Sequence, residues 1–187
     1  MKKLNLKIII PIALLSLLVI AVLLSLSQSK DDADFLEQYN LDNLSTKQIV
    51  TELDLKTDES DGFYAAITGG NLIVGDFDNE FKYNTPDDQF YLSFAPYINA
   101  THPCGNHNLV TCRGELQNIN MHVVIKDSDG NTIIDGDYTS FDNGFIGLWL
   151  PKDIEGSITV TYQGLSASSP ITTTSSSNTC LTTLKLS

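Results

Sequence analysis

The sequence predicts a mainly β fold of the α+β class. A small helical and hairpin region comes first, and a β-sandwich-like domain follows. Three observations carry this. Short apolar runs of strand length recur from Phe63 onward. Glycine, aspartate and proline turns punctuate them, at Gly69-Gly70, at Asp129-Gly130 and between Pro151 and Gly156. Helical signals, by contrast, are confined to residues 31–62.

The elements follow in order. Met1 to Lys7 is basic, and Ile8 to Leu26 is a run of 19 uncharged residues. A cleavable signal peptide has a shorter apolar centre, and a membrane span needs about 18 or more residues. Residues 1–30 are therefore a signal peptide or N-terminal membrane anchor, with the length favouring the anchor. Ser25-Leu26-Ser27 and Ser27-Gln28-Ser29 offer small-residue cleavage sites. Lysines before the apolar run place the remainder outside the cytoplasm, in the periplasm or on the outer face of the cell membrane. Residues 31–88 form a small α/β domain. Its first helix starts at the acids Asp31, Asp32 and Asp34, which suit a helix N-terminus. Ser45 and Gln48 make a capping box, and Ile49, Val50 and Leu53 then form one stripe. Asp58 to Gly62 is a turn. Phe63–Thr68 and Asn71–Val74 pair across Gly69-Gly70. Residues 89–187 form the β-rich, metal-binding domain. Its strands are Gln89–Ile98, Met121–Lys126, Thr132–Ile134, Phe145–Leu150, Ser157–Tyr162 and Leu181–Leu186. The Ser/Thr-rich stretch from Ser166 to Ser177 belongs to the fold as an edge strand, since threonine suits that position.

Charge excludes one class of partner. The chain has 187 residues and a net charge of −12. Residues 1–30 hold four lysines and no acid, which leaves 7 basic against 23 acidic side chains, a balance of −16. Such a surface repels phosphate backbones, which argues against nucleic acid. A homodimer is compatible with the sequence.

Sulfur and imidazole carry the chemistry. Cys104, His107 and Cys112 fall within nine residues, and Cys180 follows near the C-terminus. Thiolates suit Cu(I) or zinc, and imidazole suits either metal. Pro103 and Gly105 allow the turn that would bring Cys104, His107 and Cys112 to one ion, and Cys180 would complete a set of three sulfurs. Met121 is the only methionine beyond the first, so a methionine-rich copper site is absent. Other readings stay open. A Cys104–Cys112 disulfide with Cys180 buried and inert would stabilise an exported domain by about 2.5 kcal/mol. A structural zinc site is another, and a redox-active thiol a third. The odd cysteine count favours reactivity. His102 is either a second imidazole ligand or a hydrogen-bonded loop histidine. His122 reads as a strand-face residue.

One family matches these residues. Ser93-Phe94-Ala95-Pro96-Tyr97, Thr101-His102-Pro103-Cys104, His107 and Cys112-Arg113-Gly114-Glu115-Leu116 together resemble the CueP family of periplasmic copper-binding proteins. Asn143 to Pro151 resembles that family's glycine and tryptophan strand, and Thr179 to Leu184 its C-terminal cysteine motif. The resemblance covers residues 35–187. It implies that Cys104, Cys112 and Cys180 bind copper, with His107 between the first two and His102 just ahead of them. It also implies copper tolerance, holding of Cu(I) in the bacterial envelope, and reduction of Cu(II) to Cu(I). Partners would be the copper ion and envelope redox or copper-receiving proteins. A tethered N-terminus departs from a free periplasmic protein and disfavours diffusible delivery.

Other features are ordinary. Asp76 to Glu80 and Asp127 to Asn131 lack the ligand spacing of a calcium loop and read as surface turns. No nucleophile elbow, zinc-protease helix or phosphate-cradling glycine loop is present. The chain is therefore read as a binding protein rather than an enzyme, with any cupric reduction stoichiometric. Glu115 is placed either to orient a ligand histidine or as a plain strand carboxylate. Trp149 reads as core.

Overall fold

The computed structural model describes residues 18–19, 31–55 and 62–187. The expected signal peptide or anchor lies outside these residues apart from Leu18 and Val19, as does most of the Asp58 to Gly62 turn. Among the described residues no helix is long and apolar enough to cross a membrane. The chain divides into two units, Met1–Asn43 and Leu44–Ser187.

In the first unit, residues 31–38 form helix α1. The helix stops because Asn40 takes a left-handed conformation, φ 57°, and the Leu41 N–H reaches back 2.8 Å to the Leu36 carbonyl. That closes the last turn as asparagine often does at this position. The Phe35 and Tyr39 rings meet at 4.9 Å.

The second unit opens with α2, Thr46–Leu55. Its capping box forms as expected: the Ser45 N–H donates to Gln48 Oε1 at 2.9 Å, and the Gln48 N–H to Ser45 Oγ at 3.4 Å. Its buried face holds Ile49, Val50 and, unexpectedly, Asp54. Three sheets follow. The first has the order β3-β2-β1-β5, from Tyr64–Ile67 (β1), Asn71–Gly75 (β2), Glu80–Asn84 (β3) and His107–Asn108 (β5). The second, of three strands, is built on Gln89–Phe94 (β4). It has Ile146–Pro151 (β8) antiparallel on one side and Cys180–Leu181 (β11) parallel on the other. The third has the order β10-β9-β6-β7, from Asn120–Asp127 (β6), Thr132–Thr139 (β7), Glu155–Tyr162 (β9) and Leu165–Thr172 (β10).

The second and third sheets enclose one core, which gives the sandwich its cause. Phe90, Leu92 and Phe94 of β4 and Ile146 and Leu150 of β8 supply one side. Met121, Val123 and Ile125 of β6 and Ile158 and Val160 of β9 supply the other. Strand β6 shows the alternation that strand geometry demands, with Met121, Val123 and Ile125 buried while His122 and Lys126 are exposed. The Ser/Thr-rich stretch is an edge strand: β10 pairs with β9 from Leu165 to Thr172, and Pro170 is tolerated at that edge.

The structure differs from the sequence reading in four places, the first being the unanticipated two-residue strand β5. Strand β3 is not anticipated, although Phe81 and Tyr83 alternate with Glu80, Lys82 and Asn84; the alternation is only five residues long and neither ring is fully buried. The final strand is only Cys180–Leu181, followed by a lone bridge between Tyr97 and Lys185. Trp149 is half-buried rather than core, held between the Tyr91 ring at 5.0 Å and the Lys47 ammonium at 5.3 Å. The two acidic clusters are turns, as expected: Asp76 and Asp127 each accept backbone N–H groups two to four residues on.

Candidate metal centre

The loop between β4 and β6 is folded back on itself by local hydrogen bonds. Asn108 Oδ1 accepts the N–H groups of Val110 and Thr111 at 2.9 and 2.8 Å, and its carbonyl accepts that of Cys112 at 3.2 Å. An asparagine closing its own turn in this way returns Cys112 toward His107. The His107 backbone is fixed by pairing to Ile67 in β1. The tail strand arrives by two further ties. The Cys180 N–H donates to the Gly105 carbonyl at 3.0 Å. Thr179 Oγ1 accepts the His107 N–H at 3.0 Å and donates to the Ile67 carbonyl at 2.5 Å.

As a result, one ligand atom from each of Cys104, His107, Cys112 and Cys180 lies within 4.8 Å of all the others. Cys104 and Cys180 are joined as a disulfide across 76 residues, with Cα atoms 5.6 Å apart. Cys112 is a free thiol, its sulfur 3.7 Å from that of Cys104. A disulfide closing the short Cys104–Cys112 loop is thus corrected. The backbone ties bring β11 to the loop, and Cys180 takes the place that sequence proximity suggested for Cys112. His102 is half-buried and lies outside this group, its ring 6.2 Å from that of Phe145.

His107 is the organising residue. It is fully buried, and its Nε2 lies 2.8 Å from Asp54 Oδ1, with Asp54 equally buried. A buried carboxylate needs its lone pairs satisfied. Tyr91 Oη donates to Asp54 Oδ2 at 2.5 Å, and Asn143 Nδ2 donates to Asp54 Oδ1 at 2.8 Å and to its carbonyl at 2.9 Å. The other ring nitrogen, Nδ1, is buried and has no formed hydrogen bond among the described residues. A carboxylate on one nitrogen orients the ring, and the other nitrogen can offer its lone pair to a metal once the ring gives up its second proton, the arrangement of metal-binding histidines. The Phe145 ring packs against the imidazole at 4.6 Å.

The electrostatics follow from these contacts. Burial opposes charge on His107, but the Asp54 hydrogen bond and the Cys112 sulfur outweigh it and push the imidazole up to about 9. Burial likewise opposes ionisation of Cys112, and the neighbouring imidazole overcomes it, so the thiol lies below its ordinary value. An imidazole beside a thiol of lowered pKa supplies a nucleophilic sulfur and, with the other two reduced, three thiolates and one nitrogen around one point.

Two glycine requirements hold the centre together. A Cβ on Gly147 would fall 1.7 Å from Tyr91 Oη and 2.9 Å from Asp54 Oδ2, so only glycine admits the Tyr91–Asp54 bond. Gly114 and Gly144 bring two backbones into direct contact, Gly144 at φ +81°.

Sequence reasoning found the four ligand candidates and missed Asp54, Tyr91, Thr179 and a role for Asn143. Asp54 did leave a signal: it lies four residues after Val50 on the buried helix face, where an acid requires a partner. Glu115 does not orient the histidine. Its carboxylate accepts the N–H groups of Ile98, Asn99 and Ala100 and fastens that loop.

Comparison with known proteins agrees with this geometry. The model of the family "Periplasmic copper-binding protein CueP" matches residues 48–185. The solved structure "Crystal Structure of S.CueP" is similar at a TM-score of 0.80 and 40% sequence identity, covering 83% of this chain and 97% of that chain. No curated protein matches the chain. The cysteine and histidine cluster, the sandwich that carries it and these matches lead to one conclusion: the chain belongs to the CueP family of periplasmic copper-binding proteins.

Proposed function

We propose that the chain holds Cu(I) in the bacterial envelope through Cys104, Cys112 and Cys180, with His107 Nδ1 as a fourth donor and His102 in an outlying position. The observation that carries this is the convergence of four soft or borderline donors within 4.8 Å of one another. Three thiolates favour Cu(I), and zinc is the competing ion. The Cys104–Cys180 bond must first open, taking two electrons from a reductant. In the opposite direction, two Cu(II) ions accept one electron each from the two thiolates, and that bond is what remains. Reduction of Cu(II) to Cu(I) is therefore stoichiometric unless an envelope dithiol restores the thiols, and copper tolerance follows from the holding. The N-terminal segment tethers the domain to the membrane or is removed on export.

The test is Cu(I) titration of reduced protein against a competing chelator, with X-ray absorption to count sulfur neighbours. The expected result is about one copper per chain with two or three sulfurs, from the donor count. Equal affinity in a variant with all three cysteines changed to serine would refute the assignment.

A second reading, a thiol redox protein, is favoured by the 3.7 Å approach of Cys112 to Cys104 in the disulfide. Counting Cu(II) reduced per protein, with and without a dithiol, separates turnover from a single event.

A further inference from the structure

Ser93 is fully buried in the middle of β4, and its hydroxyl has no hydrogen-bond partner among the described residues. A buried hydroxyl without a partner is costly, and so it needs a reason. Its position in the sheet supplies one. On one side Ser93 is in register with Cys180 of β11, and on the other with Gly147 of β8. Residues in register across neighbouring strands point to the same face, as do residues two apart along one strand. Tyr91, Ala95, Gly147 and Cys180 are therefore the neighbours of the Ser93 side chain. Ala95 and Cys180 do pack in one cluster with Cys104 and Cys112. Tyr91 commits its hydroxyl to Asp54. Gly147 has no side chain and Ala95 no polar atom. Of these four sheet neighbours, only Cys180 brings an atom that changes its hydrogen-bonding capacity, and it does so when the disulfide opens.

We propose that Ser93 is a positioning residue for Cys180, whose hydroxyl donates to the Cys180 sulfur once that sulfur leaves the disulfide. In the oxidised protein the sulfur is bonded to Cys104 and is a poor acceptor, which accounts for the idle hydroxyl. Reduction breaks the Cys104–Cys180 bond, and a dithiol gives two electrons and becomes a disulfide itself. The freed sulfur, as a thiolate, then carries the negative charge that makes it a strong acceptor for the Ser93 O–H. This rests on the reading that Cys180 acts as a released thiolate, but its test uses no copper, so the two can fail separately.

The experiment equilibrates parent and Ser93→Ala protein in dithiothreitol redox buffers and measures the fraction with the Cys104–Cys180 bond by alkylation and mass spectrometry. A hydrogen bond to a charged acceptor shifts an equilibrium by about tenfold or more, so S93A is expected to be about tenfold harder to reduce. Thermal melting gives a second readout: S93A is expected to melt higher than the parent when oxidised and lower when reduced. A merely structural serine would move both melts the same way. A third arm needs no substitution: the Ser93 hydroxyl proton should be visible by NMR, in slow exchange and close to Cys180, in the reduced protein only. Unchanged reduction with parallel melting shifts, or a Ser93 hydroxyl signal that ignores the redox state, would overturn the proposal.

Discussion

Asp54 and His107 stand 53 residues apart in the chain and meet at 2.8 Å with both side chains fully buried. The pair joins the end of α2 to the short strand β5 and aims the free ring nitrogen of His107 into the sulfur cluster.

Removing the carboxylate should therefore act on the metal through His107 and not by contact with the ion. Asp54→Asn is expected to weaken Cu(I) binding by about 10- to 100-fold, the usual cost of losing a ligand's hydrogen-bonded support. Chelator competition on reduced protein reads this. Asp54→Ala strands a buried imidazole and is expected to cost about 3–5 kcal/mol in urea unfolding. Parent-like affinity in D54N would show that the carboxylate does not orient the ring.

The thiol count is checked without any metal. Unfolded in guanidinium without reductant, oxidised protein should show one reactive thiol, Cys112, and all three cysteines after reduction. Peptide mapping should recover Cys104 linked to Cys180. Recovery of a permanent Cys104–Cys112 link would contradict the arrangement.

Gly147→Ala tests the space that the Tyr91 hydroxyl occupies. The added carbon would sit 1.7 Å from that oxygen, so Tyr91 must leave Asp54. A loss of about 1–3 kcal/mol is expected, as for other overpacked sites. Stability equal to the parent would mean that the Tyr91–Asp54 bond is dispensable.

Glu115 gives an acid-range prediction. Hydrogen bonds from the backbone and side chain of Asn99, and from the Ile98 N–H, hold its carboxyl at about 2 against an ordinary 4.5. The folded state thus favours the carboxylate. Its contribution is complete above the ordinary value and disappears as pH falls through about 2. Glu115→Gln protein should be less stable than the parent near neutrality, and the gap should close on acidification through that window. A gap that stays constant with pH would show that the charge is irrelevant.

Much of this architecture was legible because it is local. The Gly69-Gly70 hairpin, the Ser45–Gln48 cap and the β6–β7 hairpin around Asp129-Gly130 are each written in neighbouring residues, and all three form. The cysteine and histidine spacing likewise exposed four of the groups that converge. What escaped was non-local. The Cys104–Cys180 pairing depends on β11 lying against β4, and the burial of Asp54 depends on Tyr91 and Asn143 arriving from other strands. Spacing along a chain says nothing of such meetings. Strand β3 escaped for a different reason: its alternation rests on two half-buried rings, Phe81 and Tyr83, within five residues, a short signal.

The bond between Cys104 and Cys180 closes a circuit of 76 residues. Opening it returns that whole length of chain its freedom in the unfolded state, worth roughly 4 kcal/mol in the chain-entropy picture. A copper ion held by the same two sulfurs would close the circuit again. The oxidised and the copper-loaded forms are then alike in resisting envelope proteases, and the reduced, empty form is the one most exposed to digestion. Turnover of the protein would in this way be governed by whether that circuit is closed, by a covalent bond or by an ion.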